Sequence, residues 1–281
     1  IIDQVCPRAG LLAVAQMTPA WDLRPVLALS GESDPSIVRF SGPDVSTSHR
    51  AYGRLRELYE KISRFKDRSS AILDWGVFED QLWYRRPLLA DTLAHKLNEE
   101  FKHDLPQTVA TIRSLVEEVS DWHSYGLIHG HIASSNIAFT PAGEVLLLDP
   151  GIAAACAQGG GDAHVRYGHS IAPEILEREA LDYAADVYGL GQVIRRIFLA
   201  LRKRHQFADD KAEIEQVVEP SLRLISTMVD SRAERRPKLA EVRAYLRDLR
   251  VSVPTEQKKV PVHRAGPEQT KPASRAPDRR D

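Results

Sequence analysis

The residues best equipped for chemistry lie in a few short stretches. In Leu127-Ile128-His129-Gly130-His131-Ile132-Ala133-Ser134-Ser135-Asn136 there are two imidazoles close together, and an imidazole of reference pKa about 6.5 can take a proton near neutrality. Asp149-Pro150-Gly151 follows an apolar run and offers a carboxylate at a turn, where such side chains readily cap local backbone groups. Glu174, Asp186 and Arg236 place charge beside apolar runs. Gly159-Gly160-Gly161 has the backbone freedom either to cradle an anion or to form a mobile loop, and the mobile loop is the expected reading. Thr255 and Thr270 are hydroxyl groups in a mildly basic, Pro-rich segment.

These groups must be positioned by two kinds of structure. Leu11 to Met17, Arg24 to Leu29 and Ser36 to Phe40 are strand-like runs broken by Thr18-Pro19 and by Gly31 to Pro35. Ala51 to Phe65 carries Leu55, Leu58, Tyr59 and Ile62 at helical spacing, and Ile72 to Val77 and Gln81 to Tyr84 read as two more strands. After Asp104, an N-cap followed by Pro106, the pattern Val109, Ile112, Leu115, Val116, Val119 and His123 predicts a long helix ending near Gly126. Leu127 to His129, Ile137 to Phe139 and Val145 to Leu148 read as short strands, and helices are predicted over Ala184 to Leu201, Ile214 to Met228 and Leu239 to Leu249. From Ser252 the chain is rich in Pro and charge with few bulky apolar residues, which predicts disorder. The expected organisation is a sheet-rich part over residues 1–86, a helical part over 87–251 and a tail or linker over 252–281.

The bulk numbers exclude some classes. A net charge of -1 with pI near 6.9 gives no basic field for nucleic acid. The two cysteines, Cys6 and Cys156, lack metal-ligand or disulfide spacing, which suits a reducing, cytoplasmic setting. No apolar run is long enough to span a membrane, and the start Ile1-Ile2-Asp3 is expected to be a cut from a longer polypeptide, so any membrane anchor would lie outside these residues.

Taken in order, the motifs resemble those of protein kinases. His129, Ile132 and Asn136 align with the catalytic loop H-R-D-L-x-x-x-N, Asp149-Pro150-Gly151 is similar to D-F-G, and Ala172-Pro173-Glu174 reproduces A-P-E. Asp186-Val187-Tyr188-Gly189-Leu190-Gly191 resembles the start of the family's central helix and Arg236-Pro237 its late Arg-Pro element. The resemblance implies an α+β fold with two lobes, a small antiparallel β lobe with one helix and a larger helical lobe. It also implies that His129 and Asp186 brace the loop and that Glu174 pairs with Arg236. Asp149 and Asn136 match residues that hold metal-bound ATP, either in that role or as turn caps.

The departures point away from catalysis. His131 stands where the family has its catalytic aspartate and brings no negative charge to orient a hydroxyl nucleophile. Gly130 replaces the preceding arginine. Thr18-Pro19-Ala20-Trp21-Asp22 stands where a glycine-rich turn should cover phosphates. Arg39 is the nearest cation to the missing third-strand lysine, either paired with Glu57 or Glu60 or snorkelling from a strand edge. ATP binding through Arg39, Asn136 and Asp149 is expected to be weak or vestigial, with no resident cofactor and no metal.

The resulting expectation is a catalytically inactive pseudokinase that binds a protein partner, with an atypical ATP-dependent transferase and a structural spacer as alternatives. The tail adds a specific form: an upstream Ser/Thr kinase modifies Thr270 or Thr255, and an FHA-domain protein reads the phosphothreonine. The combination also resembles the pseudokinase segment of actinobacterial MviN-type lipid II flippases, which implies a place in peptidoglycan precursor regulation.

Overall fold

A computed structural model of the chain describes residues 11–16, 26–30, 35–40, 49–64, 72–78, 81–89, 92–98, 102–140, 142–158, 170–177 and 181–249. Contacts gather Ile1–Val251 into one compact unit, and the second unit, Ser252–Asp281, lies outside the described residues, as do Thr255 and Thr270. The architecture is mixed α+β, with small antiparallel sheets and a larger share of helix.

The first part is a five-stranded antiparallel sheet. Its strands are β1 (Leu11–Gln16), β2 (Val26–Ser30), β3 (Pro35–Phe40), β4 (Asp74–Phe78) and β5 (Gln81–Pro87), in the order β1-β2-β3-β5-β4. Helix α1 (His49–Arg64) connects β3 to β4 and buries Ala51, Leu55, Tyr59 and Ile62, a stripe at helical spacing. The Tyr59 ring lies 5.3 Å from Tyr84 on β5 and 6.1 Å from Trp75 on β4, and Trp75 donates its indole N–H to Ser63 Oγ at 2.6 Å. These contacts fix α1 to one face of the sheet.

The remainder is built on α2 (Leu93–Asn98), α3 (Leu105–Ser124), a β6–β7 hairpin (Ile137–Phe139, Val145–Leu147), α4 (Ile152–Gln158), α5 (Pro173–Leu176), α6 (Tyr183–Arg204), α7 (Lys211–Met228) and α8 (Leu239–Asp248). Asp104 caps α3 reciprocally: Gln107 N–H donates to Asp104 Oδ1 at 2.8 Å and Asp104 N–H to Gln107 Oε1 at 3.2 Å. Helix α6 is central, with Val187, Leu190, Val193, Ile194, Ile197, Phe198 and Leu201 all buried. Gly189 permits a close approach, since a Cβ there would lie 2.7 Å from the Ile132 carbonyl oxygen. That contact sets α6 directly beneath the His129–Asn136 loop.

Two expectations are corrected. Leu127 to His129 is loop rather than strand, because the Leu127 N–H donates to the Trp122 carbonyl at the end of α3 and the His129 N–H to the Asp186 side chain instead of to a neighbouring strand. The segment between Asp149 and the glycine run, where no element was expected, holds the helix Ile152–Gln158. Four alanines in seven residues favour that helix strongly. Gly159-Gly160-Gly161 and the Thr18–Asp22 turn lie outside the described residues.

Candidate functional site

The His129–Asn136 loop is shaped by Asp186, which is fully buried. Its Oδ2 accepts the His129 backbone N–H at 2.9 Å, its Oδ1 accepts that of Gly130 at 2.7 Å, and His123 Nε2 lies 2.9 Å from Oδ2. A carboxylate satisfied by backbone donors substitutes for the missing ladder partners. Gly130 has φ 75°, a left-handed conformation that glycine adopts without strain, and a Cβ there would press on Ala154 at 3.2 Å.

The two imidazoles are locked in defined tautomers. His129 Nδ1 accepts the His131 backbone N–H at 3.2 Å, so its Nε2 carries the proton and donates to the Leu148 carbonyl at 2.9 Å. Burial pushes the His129 pKa down, against the opposing pull of Asp186. The Asn136 amide NH2 reaches both the His131 carbonyl, at 3.2 Å, and His131 Nδ1, at 3.1 Å. The carbonyl contact fixes the amide's orientation, because the opposite one would set two acceptors against each other. Nδ1 is therefore an acceptor, and Nε2–H donates to Ser170 Oγ at 3.1 Å. Burial, reinforced by the nearby His129, pushes the His131 pKa down to about 3. At neutral pH the ring is neutral and directs its Nε2–H toward the hydroxyl beside it.

Asp149 stands at the end of β7 with φ 58°, unusual for a residue other than glycine, and is 8% exposed. Tyr84 donates its O–H to Asp149 Oδ1 at 2.6 Å and Arg86 donates its Nε–H to the same oxygen at 3.0 Å. Arg39 Nη1 pairs with Oδ2. Burial raises the Tyr84 pKa, so the phenol stays protonated as a donor, and burial lowers that of Arg86 to about 10, which leaves it cationic. Two guanidinium groups thus share one carboxylate.

That arrangement does not fit a divalent cation. Both carboxylate oxygens are already occupied, and a double charge about 5 Å from either arginine would be repelled by several kcal/mol at an effective dielectric of ~20. Asn136 turns its amide NH2 to His131, which leaves its Oδ1, the atom a cation would use, with only a 3.5 Å contact from Ser135 Oγ. Among the described residues, no three His, Cys, Asp or Glu side chains gather as a metal site.

The expected pairing of Arg39 with Glu57 or Glu60 is corrected. Glu57 bonds Lys61 at 2.9 Å and Glu60 bonds Arg56 at 3.0 Å, both pairs within α1. The register pairs Arg39 with Tyr84 and Ile37 with Arg86, so Arg39, Tyr84 and Arg86 share the face on which α1 packs, and there Arg39 meets Asp149 while Glu57 and Glu60 are taken by Lys61 and Arg56. Sequence reasoning missed Arg86. Its signal was the period-two spacing of Tyr84 and Arg86 in a strand that was read as stopping at Tyr84.

Glu174 and Arg236 form a bidentate pair, Nη1 to Oε1 at 2.6 Å and Nη2 to Oε2 at 2.8 Å. Arg236 also donates to the carbonyls of Asp230 and Ala184 and packs over the Tyr188 ring. It ties the start of α5 to the start of α6.

Two proteins described as probable kinases share sequence with the chain. One, a probable serine/threonine-protein kinase of Dictyostelium discoideum, is 38% identical over 85 residues, 30% of this chain and 7% of that protein. Another from the same organism, the probable serine/threonine-protein kinase mkcF, is 31% identical over 77 residues, 27% of this chain and 11% of that protein. The chain thus spans about a tenth or less of those relatives' length, and the similarity is kinase-like and partial. No protein-family model matches it.

Among the described residues no helix is long and apolar enough to cross a membrane. What the site can do chemically is limited. His131 directs Nε2–H toward Ser170, Asp149 is closed by three donors, and His129, Asp186, Glu174 and Arg236 are committed to holding backbone in place.

Proposed function

We propose that this chain is a catalytically inactive pseudokinase of two-lobed, kinase-like architecture that acts as a regulatory protein-binding module. The observation that carries this reading is the tautomer of His131. In kinases the catalytic-loop residue accepts or orients the proton of the attacking hydroxyl, whereas here the ring donates toward Ser170 while Asn136 occupies its other nitrogen. The double-arginine seal on Asp149 supports the same conclusion from the metal side. Partial kinase similarity supports the architecture.

The binding role takes its specific form from the tail. Thr270, and after it Thr255, is the acceptor for an upstream Ser/Thr kinase, and the phosphothreonine is the ligand for an FHA-domain protein. A place in peptidoglycan precursor control, at the cytoplasmic side of a membrane protein, follows only if the flippase resemblance holds.

Two measurements test this. Mg2+ and ATP at millimolar concentration should leave the thermal midpoint unchanged, and no substrate should be labelled; ATP-dependent labelling lost in His131→Ala would sink the inactive reading. Treatment with an active Ser/Thr kinase should modify Thr270 or Thr255 and permit capture by an FHA domain. Capture that survives in both Thr270→Ala and Thr255→Ala would remove the tail from the proposal.

A further inference from the structure

Outside the histidine and Asp149 clusters, a cleft of about 280 Å³ opens between α1 and α4. Arg54, Glu57, Leu58 and Lys61 face it from α1 at spacings of three, four and seven residues, which is one face of a helix. The opposite wall is made of small residues, Gly151, Ala154 and Ala155, and Gly151 lets α1 come close, since a Cβ there would lie 2.5 Å from Leu58 Cδ2. Ile128 and Leu181 complete an apolar floor.

The charges are unequal. Lys61 bonds Glu57 at 2.9 Å, and that contact first, with a smaller pull from the Arg54 charge, holds the Glu57 carboxyl below its usual range. Arg54 forms no ion pair among the described residues, and its Nη1 is buried without a hydrogen-bond partner. A guanidinium with unmet donors beside an apolar floor calls for an oxygen anion carried on an apolar group. The volume falls just below the usual range for cofactor-sized ligands of roughly 300–1,000 Å³ and suits a side chain or two.

We propose that this cleft docks a segment of a protein partner in which an apolar side chain is followed by a carboxylate, the carboxylate on Arg54 and the apolar group between Leu58 and Ala154. The proposal rests on the binding-module reading and gives it a second contact, independent of the tail threonines.

The test is titration of the 15N-labelled full chain with acetyl-Gly-Phe-Glu-Gly-amide and with its neutral twin, acetyl-Gly-Phe-Gln-Gly-amide. The Glu peptide should shift the amides of Gly126, Ile128, Gly151 and Ala154 saturably, and the Gln twin should bind about tenfold more weakly, the loss expected for one charge-assisted bond. Arg54→Gln should abolish the discrimination and Arg54→Lys should retain most of it. Equal binding of the twins, or no saturable shift at these amides at several millimolar peptide, overturns the proposal. Hexanoate binding as tightly as the Glu peptide would also overturn it, in favour of a site for free amphipathic carboxylates. If the peptide fails while FHA capture of the phosphorylated chain persists, the cleft proposal falls alone and the binding-module reading stands.

Discussion

Glu174 and Asp149 are both buried carboxylates held by arginine, yet their surroundings differ in kind. Glu174 meets one arginine in a matched fork, and the remaining donors of Arg236 reach backbone carbonyls. Asp149 meets two arginines from a different part of the chain, and Arg39 Nε is left buried without a partner. The first site is balanced in charge and nearly saturated in hydrogen bonds, the pattern of a structural tie. The second carries an excess positive charge where a kinase-like site would want a free carboxylate. Protein cations have taken the place that a metal would need.

If that contrast is right, the largest effect comes from breaking the balanced pair. Glu174→Ala leaves Arg236 charged and buried with two of its five hydrogen bonds gone, and should cost about 3–5 kcal/mol. Urea unfolding would read this as a lower midpoint at unchanged slope. A loss below about 1 kcal/mol would mean that Arg236 is held by its carbonyl contacts and the Tyr188 ring alone.

The histidine cluster gives the next effect, and it is one of pH. His131 titrates near 3 in the folded chain and near 6.5 when unfolded. Its folded value is depressed, so below pH 6.5 the unfolded chain binds a proton that the folded chain refuses. Stability is therefore fully present above pH 6.5 and falls as pH drops toward 3, by about 2 kcal/mol at pH 5 from this group. Unfolding of wild type and His131→Gln at pH 7.5 and 5 should show a shallower loss in the variant. Equal losses would mean that the ring is protonated in the fold, and the tautomer argument would collapse. His129, also depressed by burial, should leave a residual slope in both.

How much of this was legible beforehand depended on the range of the interaction. The pairing of Glu174 with Arg236 was named from motifs 62 residues apart, because a three-residue signature and an Arg-Pro step mark both ends. Helix α3 was legible from its cap and its apolar stripe, both local. The partner of Arg39 was not legible, since it depends on strand register: one residue of slip would turn Arg39 to the other face. The Ile152–Gln158 helix was obscured by the glycines that follow it, although its alanines were in plain view. The tautomer of His131 could not be read at all, because it is set by which amide atom of Asn136 meets the ring.

Removing the cations should reverse the character of the Asp149 site. In an Arg39→Met, Arg86→Met double variant the carboxylate keeps only Tyr84 as a donor and should attract a divalent ion that the wild type repels. The variant should be less stable without metal. It should regain about 1.4 kcal/mol when Mn2+ is tenfold above its dissociation constant, by mass action. Thermal midpoints with and without Mn2+ in both proteins make the comparison. Equal stabilisation of the wild type would show that the arginines do not close the site.

The smallest effect tests the same assignment from the opposite side. If Arg39 used α1 for its counter-ion, Glu60→Gln would strand a nearly buried guanidinium and cost what broken buried pairs cost. With Arg39 on Asp149 and Glu60 bonded only to Arg56, both of the latter partly or fully exposed, the change removes a surface pair at helical spacing. Such pairs contribute about 0.5 kcal/mol or less and are screened by salt. Glu60→Gln should therefore unfold within about 0.5 kcal/mol of wild type, and raising the salt to about 1 M should erase the difference. A salt-insensitive loss several times larger would move Arg39 back to the helix and leave Asp149 with Arg86 alone.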